Sequence, residues 1–168
     1  MPLRIAAKLP PNELRYFKET LEPQIDGRQV QLTGEVNDKT KEQFLAGAAA
    51  LLFPIDWPEP FGLVMIEAMA CGTPVIAFRS GSVPEVIDQG LTGFIVEDED
   101  DAVAAIRRLA DLDRRTVRAR FEERFSARRM AQEYVRNYKA VATPPLLNEN
   151  GTSTVPHHKE REPVSSRA

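Results

Sequence analysis

Short apolar runs alternate with segments of helical period along most of the chain. Leu3 to Lys8 (LRIAAK) reads as a strand, and the Pro10-Pro11 pair opens a helix to about Leu21. Arg28 to Thr33 (RQVQLT) reads as a second strand, closed by Gly34. Asn37 or Asp38 then caps a helix to about Ala48, because a short side-chain oxygen satisfies the first free N–H groups of a helix. Ala50 to Pro54 (ALLFP) is continuously apolar, which predicts a third strand covered on both faces of a parallel sheet. An irregular stretch, IDWPEPF, leads into an apolar helix from Gly62 to Cys71 that ends at Gly72. Pro74 opens a fourth strand to Phe78, a first position where proline is tolerated. A short helix near Val83 to Ile87 and a strand at Gly93 to Val96 follow, and residues 102–142 have the spacing of two or three amphipathic helices. Strands alternating with helices in this way predict a doubly wound α/β domain with a parallel sheet.

From Thr143 onward, TPPLLNENGTSTVPHHKEREPVSSRA is rich in proline and small polar residues. It cannot bury enough surface to offset its ordering entropy, so residues 143–168 read as a disordered tail behind one folded domain at 1–142. The net charge of −3, from 22 basic and 25 acidic residues, is too balanced for a general nucleic-acid binder or a polybasic membrane anchor. Residues 102–142 hold eleven basic residues against five acidic ones, a local charge of +6. No aromatic platform accompanies them, so they read as a solvated helix face partly balanced by the acidic run Glu97 to Asp101. No apolar run approaches the ~20 residues of a membrane span. Residues 1–20 carry charges where a signal peptide needs an apolar core, and the single cysteine, Cys71, allows neither an intramolecular disulfide nor a CxxC site. The expectation is a cytoplasmic protein. The only histidines, His157 and His158, fall in the tail, which argues against Ser-His-Asp chemistry and histidine metal sites.

Ligands of parallel α/β sheets lie beyond the C-terminal ends of the strands, which draws attention to the segment Pro54 to Gly72. Glu67 is the only ionisable residue of an otherwise apolar helix. Burying a carboxylate alone costs several kcal/mol, so a partner or a polar ligand should face it. Glu59 stands just before the same helix. Phe61, Gly62 and Leu63 present free N–H groups at the helix start, and Gly62 lets a ligand approach the backbone, an arrangement suited to a diphosphate. The residues alone leave two alternatives open. Glu67 can be an outward-facing glutamate with Glu59 merely capping Phe61-Gly62, or the two can be a hydrolase acid/base pair, against which their placement on one helix and its flank argues.

The run EPFGLVMIEAMACGTPVIAF, followed by GSVPEVIDQGLTGFIV, closely resembles the C-terminal nucleotide-sugar-binding domain of retaining glycosyltransferases of family 4, which have the two-domain GT-B architecture. The resemblance covers residues 1–142, with GEVND upstream in the same order. It implies a Rossmann-like doubly wound sheet that lacks its first strand and helix. It also implies that Glu59 and Glu67 are the two glutamates of the family's E-x7-E motif and the candidate catalytic residues. Glu67 would hydrogen-bond the donor's ribose, Glu59 the hydroxyls of the donor sugar, and the N–H groups of Phe61, Gly62 and Leu63 the sugar and diphosphate. The substrate implied is a nucleotide-diphosphate sugar, with no metal or other cofactor.

At other matched positions the implications are structural. Ser80-Gly81-Ser82 stands where the family has a Gly-Gly turn, Glu85 reads as a helix-start charge, Gly93 as a turn residue and Cys71 as packing. In the strand order 3-2-1-4-5-6, loss of the first strand leaves two sheet halves without a hydrogen-bonding bridge. Two readings follow: a donor-binding contribution to a glycosyltransferase, either as a fragment or beside a separately encoded N-terminal half, or a non-catalytic sugar-nucleotide-binding remnant.

Overall fold

The computed structural model describes residues 1–142, so the expected tail at 143–168 lies outside the described residues. Residues Met1–Ser126 form one compact unit, and a second begins at Ala127. In the first, β1 (Leu3–Ile5) and β2 (Val30–Leu32) pair in parallel. β3 (Leu51–Phe53), β4 (Val75–Phe78) and β5 (Gly93–Val96) form a separate parallel sheet in that order. Among the described residues no strand joins the two sheets, and β1 and β3 each keep an unpaired edge, as the loss of a bridging strand predicts.

Two expectations about elements fail for physical reasons. The run ALLFP does not make a strand covered on both faces. Leu51 and Phe53 pack on the core, while Leu52, on the opposite face of β3, is 39% exposed. The fully covered strand is β4, hydrogen-bonded on both sides, whose Val75, Ile76 and Ala77 are buried. The single helix expected after Pro11 is instead a chain of unlike turns: 3-10 at Pro11–Glu13, α at Leu14–Tyr16 (α1), π at Phe17–Leu21 and 3-10 again at Glu22–Gln24. Only Phe17 and Leu21 are even partly covered in this run, so little tertiary packing imposes one helical period. Pro23, which has no N–H to give a longer helix, lies in the final turn.

α2 (Asp38–Ala46) begins with a capping box, in which the Asn37 side chain accepts from the Lys39 and Thr40 N–H groups and Thr40 Oγ1 accepts from the Asn37 N–H. α3 (Leu63–Ala70) buries Met65, Ala68 and Met69 completely. These join Val75, Val83 of α4 (Val83–Val86) and Val117 of α6 (Arg114–Phe125) in the main core. A second cluster, including Ile76, Phe94 and Ala105, lies under α5 (Glu99–Arg107). Gly93, opposite Val75, allows the close β4–β5 approach, because a side chain there would overlap the Val75 carbonyl. The other unit's α7 (Ala127–Ala142) carries a stripe of exposed apolar residues, among them Met130, Tyr134 and Tyr138. Among the described residues no helix is long and apolar enough to cross a membrane.

The basic C-terminal segment is not simply a solvated face. Arg114 Nη1 donates to the Ala48 carbonyl at 2.6 Å, and its Nη2 donates to the Ala46 carbonyl at 2.8 Å, to Thr73 Oγ1 at 2.7 Å and to the Cys71 carbonyl at 3.4 Å. One guanidinium therefore ties together the C-terminal ends of α2 and α3. Arg118 caps the Ala70 carbonyl, and Arg120 and Arg124 both clasp Asp88, at 2.9 and 2.8 Å. The acidic run is local too: Asp98 caps α5 by accepting from the Asp101 N–H at 2.8 Å, and Glu97 pairs with Arg79 at 2.6 Å.

Cys71 is part-buried after α3. Burial, and next the charge of Glu42, push its thiol above the ordinary range, so it stays protonated at neutral pH. At pH 8, iodoacetamide should label it several-fold more slowly than free cysteine; a free-cysteine rate would contradict its packing role. Arg114→Met should lower the free energy of urea unfolding by about 2 kcal/mol, since helix-end carbonyls and Thr73 lose a charged donor at a partly exposed site. Arg114→Lys should recover less than half of that loss, because an ammonium cannot present the planar fork. An unchanged unfolding midpoint in Arg114→Met would refute this role.

Candidate functional site

The segment after β3 is shaped by backbone constraints at its two ends. Gly62, the residue before α3, sits at φ 71° in the left-handed region, where an added side chain would meet Met65 Cε at 2.6 Å. Its N–H donates to Glu59 Oε1 at 3.2 Å. The capping alternative for Glu59 is thus what the structure displays, and of the three expected backbone donors Gly62 is occupied by the protein itself. Leu63 and Val64, in the first turn of α3, have no acceptor within the helix for their N–H groups. The Phe61 ring packs edge-on against Phe125, with centroids 6.3 Å apart.

A second turn seats this loop from behind. The Ser82 N–H donates to the Glu59 carbonyl at 3.0 Å, and Ser80 Oγ donates to the Trp57 carbonyl at 2.5 Å. A side chain at Gly81 would overlap the Glu59 backbone, so the Ser80-Gly81-Ser82 turn and the Glu59 loop can touch only with glycine between them. The Ser82 hydroxyl is buried there without a hydrogen-bond partner among the described residues. Trp57 is left 59% exposed on the loop.

Glu67 belongs to the outer stripe of α3, four residues after Leu63 and opposite the buried Met65, Ala68 and Met69. Side chains of a helix lean toward its N-terminus, which directs Glu67 along the face that ends at Leu63. Although it is not buried, Glu67 does have a partner, Lys41 of α2, whose Nζ lies 2.7 Å from Glu67 Oε1 and 3.4 Å from Asp38 Oδ1. The hydrogen bond from Lys41 to Glu67, together with the lesser pull of Asp38, holds the ammonium above the ordinary lysine range. The structure therefore brings Glu59, Gly62, Leu63 and Glu67 onto the N-terminal end and outer face of one helix. Glu85 is exposed in α4, with its carbonyl taken by Arg124, in keeping with a structural role.

Three contributors escape a reading of the sequence: Lys41, Ser80 and Ser82 as tethers. Nothing in the local pattern NDKTKEQ marks Lys41, whose partner lies 26 residues away. The glycine at 81 is the one signal that the serine turn approaches another backbone. A cleft of about 500 Å³ lies at the other end of α3 beside Cys71, Arg114 and Arg118. Two of its arginines, Arg114 and Arg118, are already engaged with helix-end carbonyls. Among the described residues no three His, Cys, Asp or Glu side chains cluster as a metal site.

A family model described as "Glycosyl transferases group 1" matches residues 11–128. N-acetyl-alpha-D-glucosaminyl L-malate synthase of Bacillus anthracis is 37% identical over 98 residues, which cover 58% of this chain and 25% of that protein. A D-inositol 3-phosphate glycosyltransferase of Corynebacterium efficiens is 36% identical over 101 residues, 60% of this chain and 22% of that protein. Among solved structures, Anabaena Alr3699/HepE in complex with UDP and glucose matches with a TM-score of 0.70 and 25% identity, covering 83% of this chain and 40% of that one. Sucrose-phosphate synthase from Thermosynechococcus elongatus matches with a TM-score of 0.71 and 27% identity, covering 83% of this chain and 38% of that one. The chain thus spans a quarter or less of these curated relatives and about two fifths of these solved chains. Its parallel α/β architecture is that of the Rossmann-like half of a GT-B glycosyltransferase. A helix that opens its N-terminus beside parallel strands, and a family match across most of the compact unit, lead to one assignment: this chain belongs to the glycosyl transferases group 1 family.

Proposed function

We propose that this chain binds the nucleotide-diphosphate sugar donor for a hexosyl transfer that proceeds with retention, as in the family 4 enzymes it resembles. The observation that carries the reading is the placement of two carboxylates and an open helix N-terminus on one element, α3 and its flank. Carboxylates accept from sugar and ribose hydroxyls, and uncommitted N–H groups donate to phosphate oxygens. Glu67 is assigned the ribose, Glu59 the hydroxyls of the transferred sugar, and the backbone at Phe61, Gly62 and Leu63 the diphosphate. For Gly62 to donate to the ligand, Glu59 must release its 3.2 Å hydrogen bond and turn toward the sugar, so donor binding is coupled to a reorientation of the Glu59 side chain.

Magnitudes separate the roles. A helix N-terminus contributes about 1 kcal/mol to anion binding, roughly a fivefold effect, whereas a hydrogen bond to a charged group contributes about 1.5–3 kcal/mol. Loss of the Glu67 carboxylate alone should therefore weaken nucleotide binding measurably. The helix end matters more during reaction, when negative charge grows on the departing nucleoside diphosphate and donors already in place meet it without reorganisation. The chain supplies these parts, and we propose that acceptor binding is supplied by a second, N-terminal half, within a longer polypeptide or on a separate chain.

Calorimetric titration of the chain with UDP, GDP and their sugars tests this reading. One nucleotide series should bind, Glu67→Ala should weaken it by about tenfold or more, and Glu85→Ala should leave it unchanged. No binding at millimolar ligand by a chain with a folded circular-dichroism spectrum would refute donor binding. Equal affinities for the two variants would remove the assignment of Glu67.

A further inference from the structure

Lys41 is bound to the candidate site by geometry, yet nothing in the motif involves it. It extends from the first turn of α2, fixed by the capping box of Asn37 and Thr40, to Glu67 on α3. Its Nζ is closer to Glu67, 26 residues away, than to Asp38 in its own helix, 2.7 against 3.4 Å. The contact engages Glu67 Oε1 alone, and Oε2 has no hydrogen-bond partner among the described residues. Both side chains are about one third exposed, 32% for Lys41 and 35% for Glu67. Ion pairs so exposed add little to stability, so this pair can be broken without unfolding the chain.

We propose that Lys41 is a positioning residue for nucleotide binding: by holding Glu67 Oε1 it fixes the carboxylate on the outer face of α3 with Oε2 presented to the ribose hydroxyls. This inference rests on the assignment of Glu67 to the ribose. A glutamate on a helix surface otherwise samples several rotamers, and a ligand must immobilise it on binding. Lys41 removes that cost beforehand, the ordinary gain of preorganisation. Lys41 also offsets the mutual repulsion of Asp38 and Glu67, and it acts from an ammonium that remains charged across the physiological range.

The alternative is that Lys41 leaves Glu67 and contacts the diphosphate directly. The two roles differ in which part of the ligand feels the lysine. Affinities of the intact chain for the preferred nucleoside diphosphate and for the matching nucleoside without phosphate are measured, by calorimetry and by NMR titration, in the wild type, Lys41→Met, Lys41→Arg, Glu67→Gln and the double variant Lys41→Met/Glu67→Gln. Positioning predicts that Lys41→Met weakens diphosphate and nucleoside alike by about fivefold. It predicts further that Lys41→Arg restores most of the loss, that melting is unchanged, and that Lys41→Met has no added effect in the Glu67→Gln background. Wild-type affinity in Lys41→Met, a loss confined to the diphosphate, or additive losses in the double variant would each overturn the proposal while leaving donor binding intact. Absence of nucleotide binding by the wild type would overturn both.

Discussion

Burial of one side of α3 is the constraint on which the rest of the site depends. Met65, Ala68 and Met69 are wholly removed from solvent against β4, α4 and α6, which is worth about 5 kcal/mol at the usual gain for two large apolar side chains and a methyl group. That burial fixes the rotation of the helix about its axis. Once it is fixed, Leu63 and Glu67 can only face outward, and the first free N–H groups can only open at the loop that carries Glu59. Position along the axis is set by polar contacts at the far end. The Arg114 guanidinium holds the carbonyls of Ala46, Ala48 and Cys71, so α2 and α3 are locked where they end. The Lys41–Glu67 pair spans the same two helices nearer their beginnings.

The loop before α3 is rigid for a different reason. It contains three prolines and no secondary structure, yet Ser80 and Ser82 grip the Trp57 and Glu59 carbonyls, and Gly81 leaves no side chain between the two turns. Glu59 thus has a fixed backbone and a side chain free to exchange its acceptor role at Gly62 for a ligand hydroxyl. A rigid backbone carrying a few exchangeable side chains is what preorganised recognition of a sugar requires.

How much of this was legible beforehand depended on the range of the interactions. Glu59, Gly62, Leu63 and Glu67 lie within nine residues, and their grouping on one helix and its flank follows from helix geometry, so the candidate site could be outlined from the chain alone. That the strands run parallel followed from the alternation of elements, whereas the break between β1 and β3 was implied only by the family resemblance. Lys41 and Arg114 followed from neither, because their partners lie 26 to 68 residues away and depend on how helices are brought together. The apolar run at β3 misled because hydrophobicity does not report whether another layer covers each face of a strand, and Leu52 lies on the face left open. The run after Pro11 misled because its period was read without knowing that almost none of it would be packed. The arginines of α6 looked like a solvated face because a guanidinium bonded to a carbonyl leaves no trace in charge patterning.

The central claim is that nucleotide binds at the N-terminal end and outer face of α3. Backbone and side-chain NMR shifts of the intact chain, followed on titration with the preferred nucleoside diphosphate, test it most directly. The account predicts that the largest changes fall on the amides of Phe61, Gly62, Leu63 and Val64 and on the side chains of Glu67 and Lys41. Saturable changes centred instead on the cleft beside Cys71, Arg114 and Arg118 would contradict it.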